Sequence, residues 1–223
     1  MTPDEAWLAE AWLFVREQIP MTGPQRVLDV GCGPLGGFVP MLRREGHDAV
    51  GVDPCAPDGP HYPRVEFERY DPPQEVDVVV ASTSLHHVTD LDEVLDKIRA
   101  VLAPGGLVIV VEWAWERVDE STARWCFDRL DPEGEPNWLH ARRDGWVESG
   151  QIWSDYVNAW AANEGLHPSQ RIRMGLDARF DGTVSALGPY YFPVLAHTTA
   201  SDEQAAIDSG AIQAGATYYV GTR

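Results

Sequence analysis

Glycines cluster directly after the first apolar run of the chain, in a segment suited to nucleotide binding. Residues 27–37 read Val-Leu-Asp-Val-Gly-Cys-Gly-Pro-Leu-Gly-Gly. Glycine lets the backbone turn tightly and approach a ligand, and the start of a following helix offers free N–H groups. Asp53 lies 20 residues after Gly33, where a carboxylate can accept both hydroxyls of a ribose. Gly31, Gly33 and Gly36 satisfy the dinucleotide-binding fingerprint, so the segment predicts a nucleotide site.

Two adjacent histidines provide a second group with chemical potential. His86 and His87 follow a β-branched run, and Glu112 ends the next such run. Histidine titrates near neutral pH, so either ring can act as a general base, and Glu112 is a further candidate. Neighbouring histidines cannot easily converge on one metal, and no acid–histidine spacing suggests a metal site, so we expect no metal.

The elements that must position these residues alternate between strand and helix periods. The runs at 76–81 and 107–111 are almost continuously apolar and β-branched, which is typical of strands buried on both faces of a parallel sheet. Strand–helix alternation predicts a doubly wound α/β fold. The pattern predicts strands at 26–30, 48–53, 64–67, 76–81, 107–111, 171–174 and 216–221, and helices at 4–18, 37–45, 91–102 and 152–160. A capping box formed by Ser201 and Gln204 predicts one more short helix, ending at Gly210.

The tryptophans are unevenly placed. Nine are present, and none lies between residues 13 and 112. Residues 114–149 are rich in Trp, Arg and acidic side chains and interrupt the alternation, so we interpret them as an inserted helical cap. The predicted organisation is one domain with an N-terminal helix (1–24) covering the ligand site, a core (25–113), a cap (114–149) and a segment completing the sheet (150–223).

Composition excludes several classes of function. The chain has 223 residues, 17 Lys plus Arg against 35 Asp plus Glu, and a net charge of −18. This balance argues against nucleic acid and anionic membranes as partners. No apolar run reaches 18 residues and the N-terminus is acidic, so we expect neither a membrane span nor a signal peptide. Three widely spaced cysteines suit a reducing cytoplasm. The sequence leaves the oligomeric state open.

One interpretation of the glycine turn is a nicotinamide-dependent oxidoreductase. Small reductases of that kind usually use a tyrosine and a lysine four residues apart. The only lysine is Lys97, and residue 93 is glutamate. The pair is therefore absent, although the fingerprint itself fits a dinucleotide.

The other interpretation comes from resemblance. Asp29–Gly33 resembles the first motif of class I S-adenosylmethionine-dependent methyltransferases, in which an acid precedes the first glycine by two residues. The third glycine of that motif falls on Leu35, and Tyr70 stands where many members have glycine. The resemblance covers about residues 25–113 and implies a Rossmann-like, mostly parallel, seven-stranded sheet whose last strand is antiparallel. Further motifs of the family are resembled, in the right order, by residues 50–53, 65–71, 76–88 and 99–106.

The resemblance also implies residue roles in binding S-adenosylmethionine. Asp29 would orient the glycine loop or meet the methionine ammonium, and Asp53 would bind the ribose. Asp71 would meet the adenine amino group, with the Tyr70 ring over the base, or serve as a plain turn acid. The implied cofactor-binding set is Asp29, Gly31, Cys32, Gly33, Asp53, Pro54, Tyr70, Asp71, Ser82 and Thr83.

The acceptor is expected on the cap side, where this family places substrate caps. Arg142 and Arg143 can pair with an acidic acceptor group or remain solvated. The aromatic residues that can wall an apolar or aromatic acceptor are Trp113, Trp115, Trp125, Trp138, Tyr190 and Tyr191. The expected reaction is in-line methyl transfer to a small molecule, dominated by positioning, with or without a histidine base. A protein of this fold that binds the cofactor without transferring its methyl group is a further alternative. One lysine beside 16 arginines is associated with high-GC genomes, where methyltransferases of secondary metabolism abound.

Overall fold

The computed structural model describes residues 1–223, the side chain of Thr183 excepted. Elements are numbered in chain order. The strands are β1 (Arg26–Val30), β2 (Asp48–Val52), β3 (Val76–Ser82), β4 (Leu102–Trp113), β5 (Asp181–Gly188) and β6 (Ala216–Thr222). The α-helices are α1 (Pro3–Gln18), α2 (Val39–Arg44), α3 (Leu91–Val101), α4 (Glu120–Phe127), α5 (Trp138–Ser149), α6 (Trp153–Glu164), α7 (Ser169–Asp177) and α8 (Ala200–Asp208).

The strands form one sheet in the order β2-β1-β3-β4-β6-β5. β1 pairs in parallel with β2 and with β3, and β3 pairs in parallel with β4. β6 runs antiparallel to both of its neighbours, so it alone opposes the direction of the other described strands. The predicted doubly wound, mostly parallel α/β fold with an antiparallel last strand is confirmed. The strand order reverses between β1 and β3, and the crevice at such a switch point is where ligands bind in open α/β sheets.

The sheet has six strands among the described residues, one fewer than predicted. The expected strand at 64–67 does not form, and Phe67–Arg69 is a 3-10 helix. His61 O and Pro63 O do accept hydrogen bonds from Gly51 N and Asp53 N on the free edge of β2. Pro60 and Pro63 have no N–H to donate, which prevents a regular ladder at this edge.

Two predictions in the C-terminal third were wrong. Residues 171–174 belong to α7, because Glu116 caps that helix by accepting hydrogen bonds from Ser169 N and Gln170 N. Ile172 and Leu176 are buried on one helical face. The strand in this region is β5 instead. The cap of α8 is also two residues earlier than predicted, because Thr199 and Asp202, rather than Ser201 and Gln204, form the capping box.

The sheet is covered on both faces, as its β-branched strands require. One apolar cluster joins Val79 and Val108 to Leu95 of α3 and Leu176 of α7. The opposite cluster joins the other face of the strands to α1 and α2, with Phe38 fully buried in it. In the described part of the chain no helix is long and apolar enough to cross a membrane.

A third apolar cluster lies outside the sheet and contains most of the tryptophans. Trp113, at the end of β4, and Trp115, two residues after it, pack there with Cys126 of α4 and Leu139 of α5. Trp153 of α6 belongs to the same cluster. The predicted cap therefore contains two helices, and its packing continues beyond residue 149 into α6.

Candidate functional site

A cleft of about 920 Å³ opens at the carboxyl ends of β1, β2 and β3. This volume is within the range of sites for cofactors and small molecules. The lining residues with candidate roles come from the ends of these three strands, from the loops after them and from α1: Asp4, Trp7, Leu8, Asp29, Gly31, Cys32, Gly33, Asp53, Pro54, Phe67, Glu68, Ser82, Thr83, Ser84 and His87.

The glycine turn after β1 is shaped by close approaches that only glycine permits. Gly31 has φ +76°, and a Cβ there would lie 2.3 Å from Ser84 Cβ. Gly37 has φ +54°, and its Cβ would lie 2.2 Å from Asp29 Oδ2. Side chains at these positions would have to displace the loop after β3 or the carboxylate, so the turn keeps its backbone exposed to the cleft.

The buried side chain of Asp29 stabilises this turn. Its carboxylate is 1% exposed and accepts a hydrogen bond of 2.7 Å from Phe38 N. Burial raises the pKa of Asp29 to about 7, against the opposing effect of that hydrogen bond. This hydrogen bond connects Asp29 to the start of α2, and the residue also borders the cleft.

Asp53 follows β2 and reaches the turn from the neighbouring strand. Its Oδ2 accepts a hydrogen bond of 3.1 Å from Gly33 N, and its Oδ1 accepts one of 2.6 Å from Cys55 N. Both bonds fix the carboxylate at the edge of the cleft beside Pro54. Cys32 is buried behind the turn, and burial raises the pKa of its thiol well above the ordinary value.

Tyr70 and Asp71 lie away from the cleft lining. Asp71 forms an ion pair with Lys97, with Oδ1 3.1 Å from Nζ, and its side chain is 92% exposed. Tyr70 packs against the core cluster that contains α3. The cleft is instead lined by Phe67 and Glu68 of the preceding 3-10 turn. The motif alone could not show that the 3-10 turn Phe67–Arg69 lines the cleft and that Tyr70 and Asp71 do not.

The end of β3 forms the opposite wall. Thr83 adopts φ +49°, a left-handed conformation that costs energy in a non-glycine residue and often occurs at functional sites. Thr83 N donates to Val111 O, and Ser84 Oγ donates to Val30 O. These bonds connect the loop to β4 and to β1.

The two histidines occupy different environments. His86 is 3% exposed, and its Nδ1 lies 2.6 Å from Oε2 of Glu112, which is also buried. The other oxygen of Glu112 accepts hydrogen bonds from Ser84 N and Leu85 N, at 2.8 and 2.6 Å. Glu112 therefore fixes the whole turn. Neither His86 nor Glu112 lines the cleft, whereas His87 does.

The His87 side chain is the more exposed of the two, and the centre of its ring lies 4.1 Å from that of His86. Partial burial lowers its pKa, and the neighbouring His86 lowers it further, while Glu112 and Glu164 act in the opposite direction. A lowered pKa keeps the imidazole neutral near pH 7, the form that can accept a proton. Of the three predicted catalytic candidates, only His87 faces the ligand space.

Helix α1 covers the cleft next to the loop after β3. Asp4, Trp7 and Leu8 contribute to the lining. Trp7 Nε1 donates to Ser82 Oγ at 3.4 Å, and its ring meets Tyr190 edge-on at 4.9 Å. These contacts connect the covering helix to both the sheet and the aromatic region of the cap.

Trp113 is the centre of that aromatic region. Its ring stacks on Tyr190 at 5.6 Å, and its Nε1 donates to Tyr191 Oη at 3.1 Å. It also contacts Trp138 at 5.2 Å and Trp160 at 5.8 Å. A second, small cavity lies among these rings and is bordered by Trp113, Trp138, Tyr191 and Trp160.

The remaining aromatic candidates have structural contacts instead. Trp115 is buried, and its Nε1 donates to His167 O at 3.1 Å. Trp125 lies under the guanidinium of Arg129 at 4.0 Å. Neither borders the cleft or the cap cavity. Trp160, which borders the cavity, was not predicted because it reads as part of an ordinary helical face.

A buried acid missed by sequence analysis positions the predicted tyrosines. Glu203 of α8 is 0% exposed. Its carboxylate accepts hydrogen bonds from Tyr190 N, Tyr191 N and Phe192 N at 2.7, 2.8 and 2.7 Å. Burial raises its pKa, and these three bonds act against that rise. An isolated acid in a short helix carries no sequence signal for such a role.

The fold and the site together define a class of protein. A switch-point cleft, a glycine turn that excludes Cβ atoms, a fixed carboxylate at the end of β2 and a closing antiparallel strand belong to class I S-adenosylmethionine-dependent methyltransferases. The cleft fits that cofactor, because its volume suits a ligand of this size and six lining carboxyl groups favour a cationic sulfur: Asp4, Asp29, Asp53, Glu66, Glu68 and Glu93.

Residues 9–145 match the family model described as a methyltransferase domain. This segment is more than half of the chain, and the protein belongs to that family. A ubiquinone biosynthesis O-methyltransferase of Bradyrhizobium sp. is 36% identical over 175 residues, covering 63% of this chain and 67% of that protein. A protein with the same name from Rhodopseudomonas palustris is 33% identical over 98 residues, which is 38% of each chain.

Solved structures agree on the fold. An S-adenosylmethionine-dependent methyltransferase of Mesorhizobium loti has a TM-score of 0.53 at 19% identity, with 95% of this chain and 97% of that chain covered. The 1,6-didemethyltoxoflavin-N1-methyltransferase of Burkholderia thailandensis has a TM-score of 0.57 at 15% identity, with 99% and 79% covered. The chain is thus an S-adenosylmethionine-dependent methyltransferase, and the comparisons do not favour an oxidoreductase.

Proposed function

We propose that this enzyme methylates a hydroxyl oxygen of a small aromatic acceptor, with His87 as general base. The observation that carries the proposal is the position of His87, the histidine that faces the cleft while His86 and Glu112 hold it from behind. The relatives named above are O-methyltransferases, which supports oxygen as the methylated atom. Aromatic side chains beside the cleft support an aromatic acceptor.

The same geometry suggests how the cofactor is oriented. We place the methionine end against Gly31 and Asp29, and the ribose on Asp53. Phe67 and Glu68 take the adenine, in place of the expected Tyr70 and Asp71. When bound, S-adenosylmethionine supplies an electrophilic methyl group on a positively charged sulfur. The remaining predicted contacts are Cys32, Gly33 and Pro54, with the backbone of Ser82 and Thr83 at the methionine end.

His87 would accept the proton of the acceptor hydroxyl as the oxygen attacks the methyl carbon. Its lowered pKa favours the neutral ring at physiological pH. His86 and Glu112 act as positioning residues, because they contact the loop and leave the ligand space to His87. Trp7 and Leu8 of α1 exclude water, which strengthens the electrostatic effect of the cleft on the reacting groups.

The setting of the reaction is also part of the proposal. We place the enzyme in the cytoplasm, since Cys32, Cys55 and Cys126 are free thiols. The acidic surface disfavours nucleic acid as an acceptor. A place in secondary metabolism is supported by the scarcity of lysine alone, and the relatives are named for ubiquinone biosynthesis.

The test is methyl transfer to matched phenols, anilines and thiophenols, followed by mass spectrometry of the products. We expect methyl ethers to form together with S-adenosylhomocysteine. His87→Gln should lower kcat about a hundredfold while leaving S-adenosylhomocysteine affinity unchanged, because a positioned base contributes factors of about 10² to 10⁴. His61→Gln, which alters a histidine outside the cleft lining, is the matched control.

Methylation of anilines or thiophenols but not phenols would contradict the proposal. So would a His87→Gln enzyme with the kcat of the wild type. Cofactor binding without a methylated product from any of these acceptors would favour a protein that binds S-adenosylmethionine without transferring its methyl group.

A further inference from the structure

The cap cavity has one charged residue in its wall. Its volume is about 20 Å³, and among the described residues that border it, Arg142 of α5 alone carries a charge. The other lining residues are aromatic, aliphatic or cysteine, and they include Trp113, Trp138, Trp153 and Trp160. A cation placed in such a wall marks the point where a polar group of a bound molecule would be recognised.

Arg142 also lacks an acidic partner. Its guanidinium lies 4.6 Å from the centre of the Trp160 ring, and no hydrogen bond or ion pair joins it to a residue that the structure describes. The next residue, Arg143, instead pairs with Asp144 at 2.8 Å. Several other arginines also form no ion pair with a described residue, and Arg142 differs from them in bordering the apolar cap cavity. A half-buried guanidinium offers a planar fork that suits a carboxylate.

Ring contacts connect Arg142 to the reaction centre. The Trp160 ring lies 5.8 Å from Trp113, and Trp113 lies 5.8 Å from His86. His86 in turn is 4.1 Å from His87. Trp113 therefore lies between the Trp160–Arg142 pair and the two histidines.

The cavity must open to admit an acceptor, because about 20 Å³ holds little more than one water. Trp138 is the lining tryptophan best placed to move. It is 37% exposed, lies one helical turn before Arg142, and has no hydrogen bond from its ring nitrogen to a described residue. By contrast, the ring nitrogens of Trp113 and Trp153 donate to Tyr191 Oη and Val118 O.

We propose that Arg142 binds a carboxylate on the acceptor, whose aromatic body displaces Trp138 and enters the cap cavity. This inference rests on the proposed function, because it assigns the substrate class of the same enzyme. The acceptor would be an aromatic acid with a hydroxyl group remote from its carboxylate. The arginine acts as a specificity determinant and takes no part in the methyl transfer itself.

The experiment compares caffeate with its methyl ester, which has the same ring and hydroxyl groups but no charge. Dissociation constants are measured by calorimetry on the S-adenosylhomocysteine complex, and KM is measured wherever methylation occurs. The wild type should bind caffeate about ten to a hundred times more tightly than the ester, as expected for a charge-assisted hydrogen bond. Arg142→Gln should remove this difference, while Arg143→Gln should keep it.

Equal binding of acid and ester by the wild type, or no binding of the acid, would overturn the inference. An unchanged acid preference in Arg142→Gln would overturn it as well. S-adenosylhomocysteine affinity in each variant reports whether the fold is intact. Equal methylation of acid and ester leaves the proposed function standing, whereas a preference in binding without any methyl ether refutes the function but supports the role of Arg142.

Discussion

Gly31 sits where two loops come closest, and a Cβ added to it would lie 2.3 Å from Ser84 Cβ. Gly31→Ala should therefore weaken S-adenosylhomocysteine binding at least tenfold, because the turn must shift and φ +76° is unfavourable for alanine. Gly33→Ala is the matched control: φ is +61°, but no atom lies within 4 Å of its Cβ. Calorimetric titration measures both.

A double variant that also removes the Ser84 side chain tests the same contact in the opposite direction. In Ser84→Gly/Gly31→Ala the Cβ–Cβ contact is absent, so part of the affinity should return. If Gly31→Ala and Gly33→Ala lose the same affinity, and Ser84→Gly restores none, the clash with the loop after β3 is not what fixes glycine at residue 31.

The raised pKa of Asp29 implies that the free energy of unfolding depends on pH. Its pKa in the folded protein is raised from 3.8 to about 7, so the folded state binds a proton that the unfolded state has released in this range. The stability of the cofactor-free protein from this group is therefore greater at low pH and is lost as pH rises through about 7. Between pH 5.5 and 8 the loss is about 2 kcal/mol.

Asp29→Asn removes the titration, so urea unfolding should show a smaller fall in stability between these pH values than in the wild type. The difference between the two proteins isolates Asp29 from all other groups. Identical pH dependence in wild type and variant would mean that this carboxylate stays ionised in the folded protein.

At the scale of elements, α8 matters because Glu203 connects it to the segment that carries Tyr190 and Tyr191. Glu203→Gln replaces a carboxylate that accepts three backbone N–H groups with an amide that brings donors of its own. We expect a loss of about 2–4 kcal/mol in the free energy of unfolding, because hydrogen bonds to charged groups are worth about 1.5–3 kcal/mol each.

Chemical denaturation measures that loss, with Asp208→Asn on the exposed side of the same helix as control. The Tyr190–Trp113 stack should also loosen, which would weaken acceptor binding more than S-adenosylhomocysteine binding. A Glu203→Gln protein as stable as Asp208→Asn would refute the positioning role.

The elements predicted correctly are those whose signals are local. β1, β2 and β3 are short, mainly apolar runs, and α3 has a local cap, in which the Asp90 side chain accepts a hydrogen bond from Glu93 N. The secondary structure was predicted wrongly where contacts with distant parts of the chain determine the conformation. The strand expected at 64–67 does not form beside Pro60 and Pro63, which cannot donate ladder hydrogen bonds. The strand expected at 171–174 is part of α7, whose first turn is capped by Glu116.

The candidate site divides in the same way. Asp29, Gly31, Asp53 and His87 could be located from motif and strand ends, because strand ends in a parallel sheet meet at one edge. Sequence could not separate His86 from His87, since only the fold shows which ring turns inward to Glu112. Nor could it find Glu203, whose partners are backbone N–H groups.

At the scale of the whole molecule, the distribution of tryptophans follows the separation between the cleft and the aromatic cluster. The stretch without tryptophan, residues 13–112, contains the glycine turn and the strands that form the cleft. Most tryptophans lie instead in the third apolar cluster, around α4, α5 and α6. We therefore expect cofactor recognition to depend on backbone geometry and carboxylates, and acceptor recognition to depend on aromatic surfaces and on Arg142.

We expect the switch-point cleft to bind S-adenosylmethionine through Asp53. Calorimetric titration of S-adenosylhomocysteine and of NAD into the wild type and Asp53→Asn tests it most directly. We expect micromolar binding of S-adenosylhomocysteine, at least a tenfold loss in Asp53→Asn, and no binding of NAD. Binding of NAD in place of S-adenosylhomocysteine, or an Asp53→Asn protein with wild-type affinity, would contradict it.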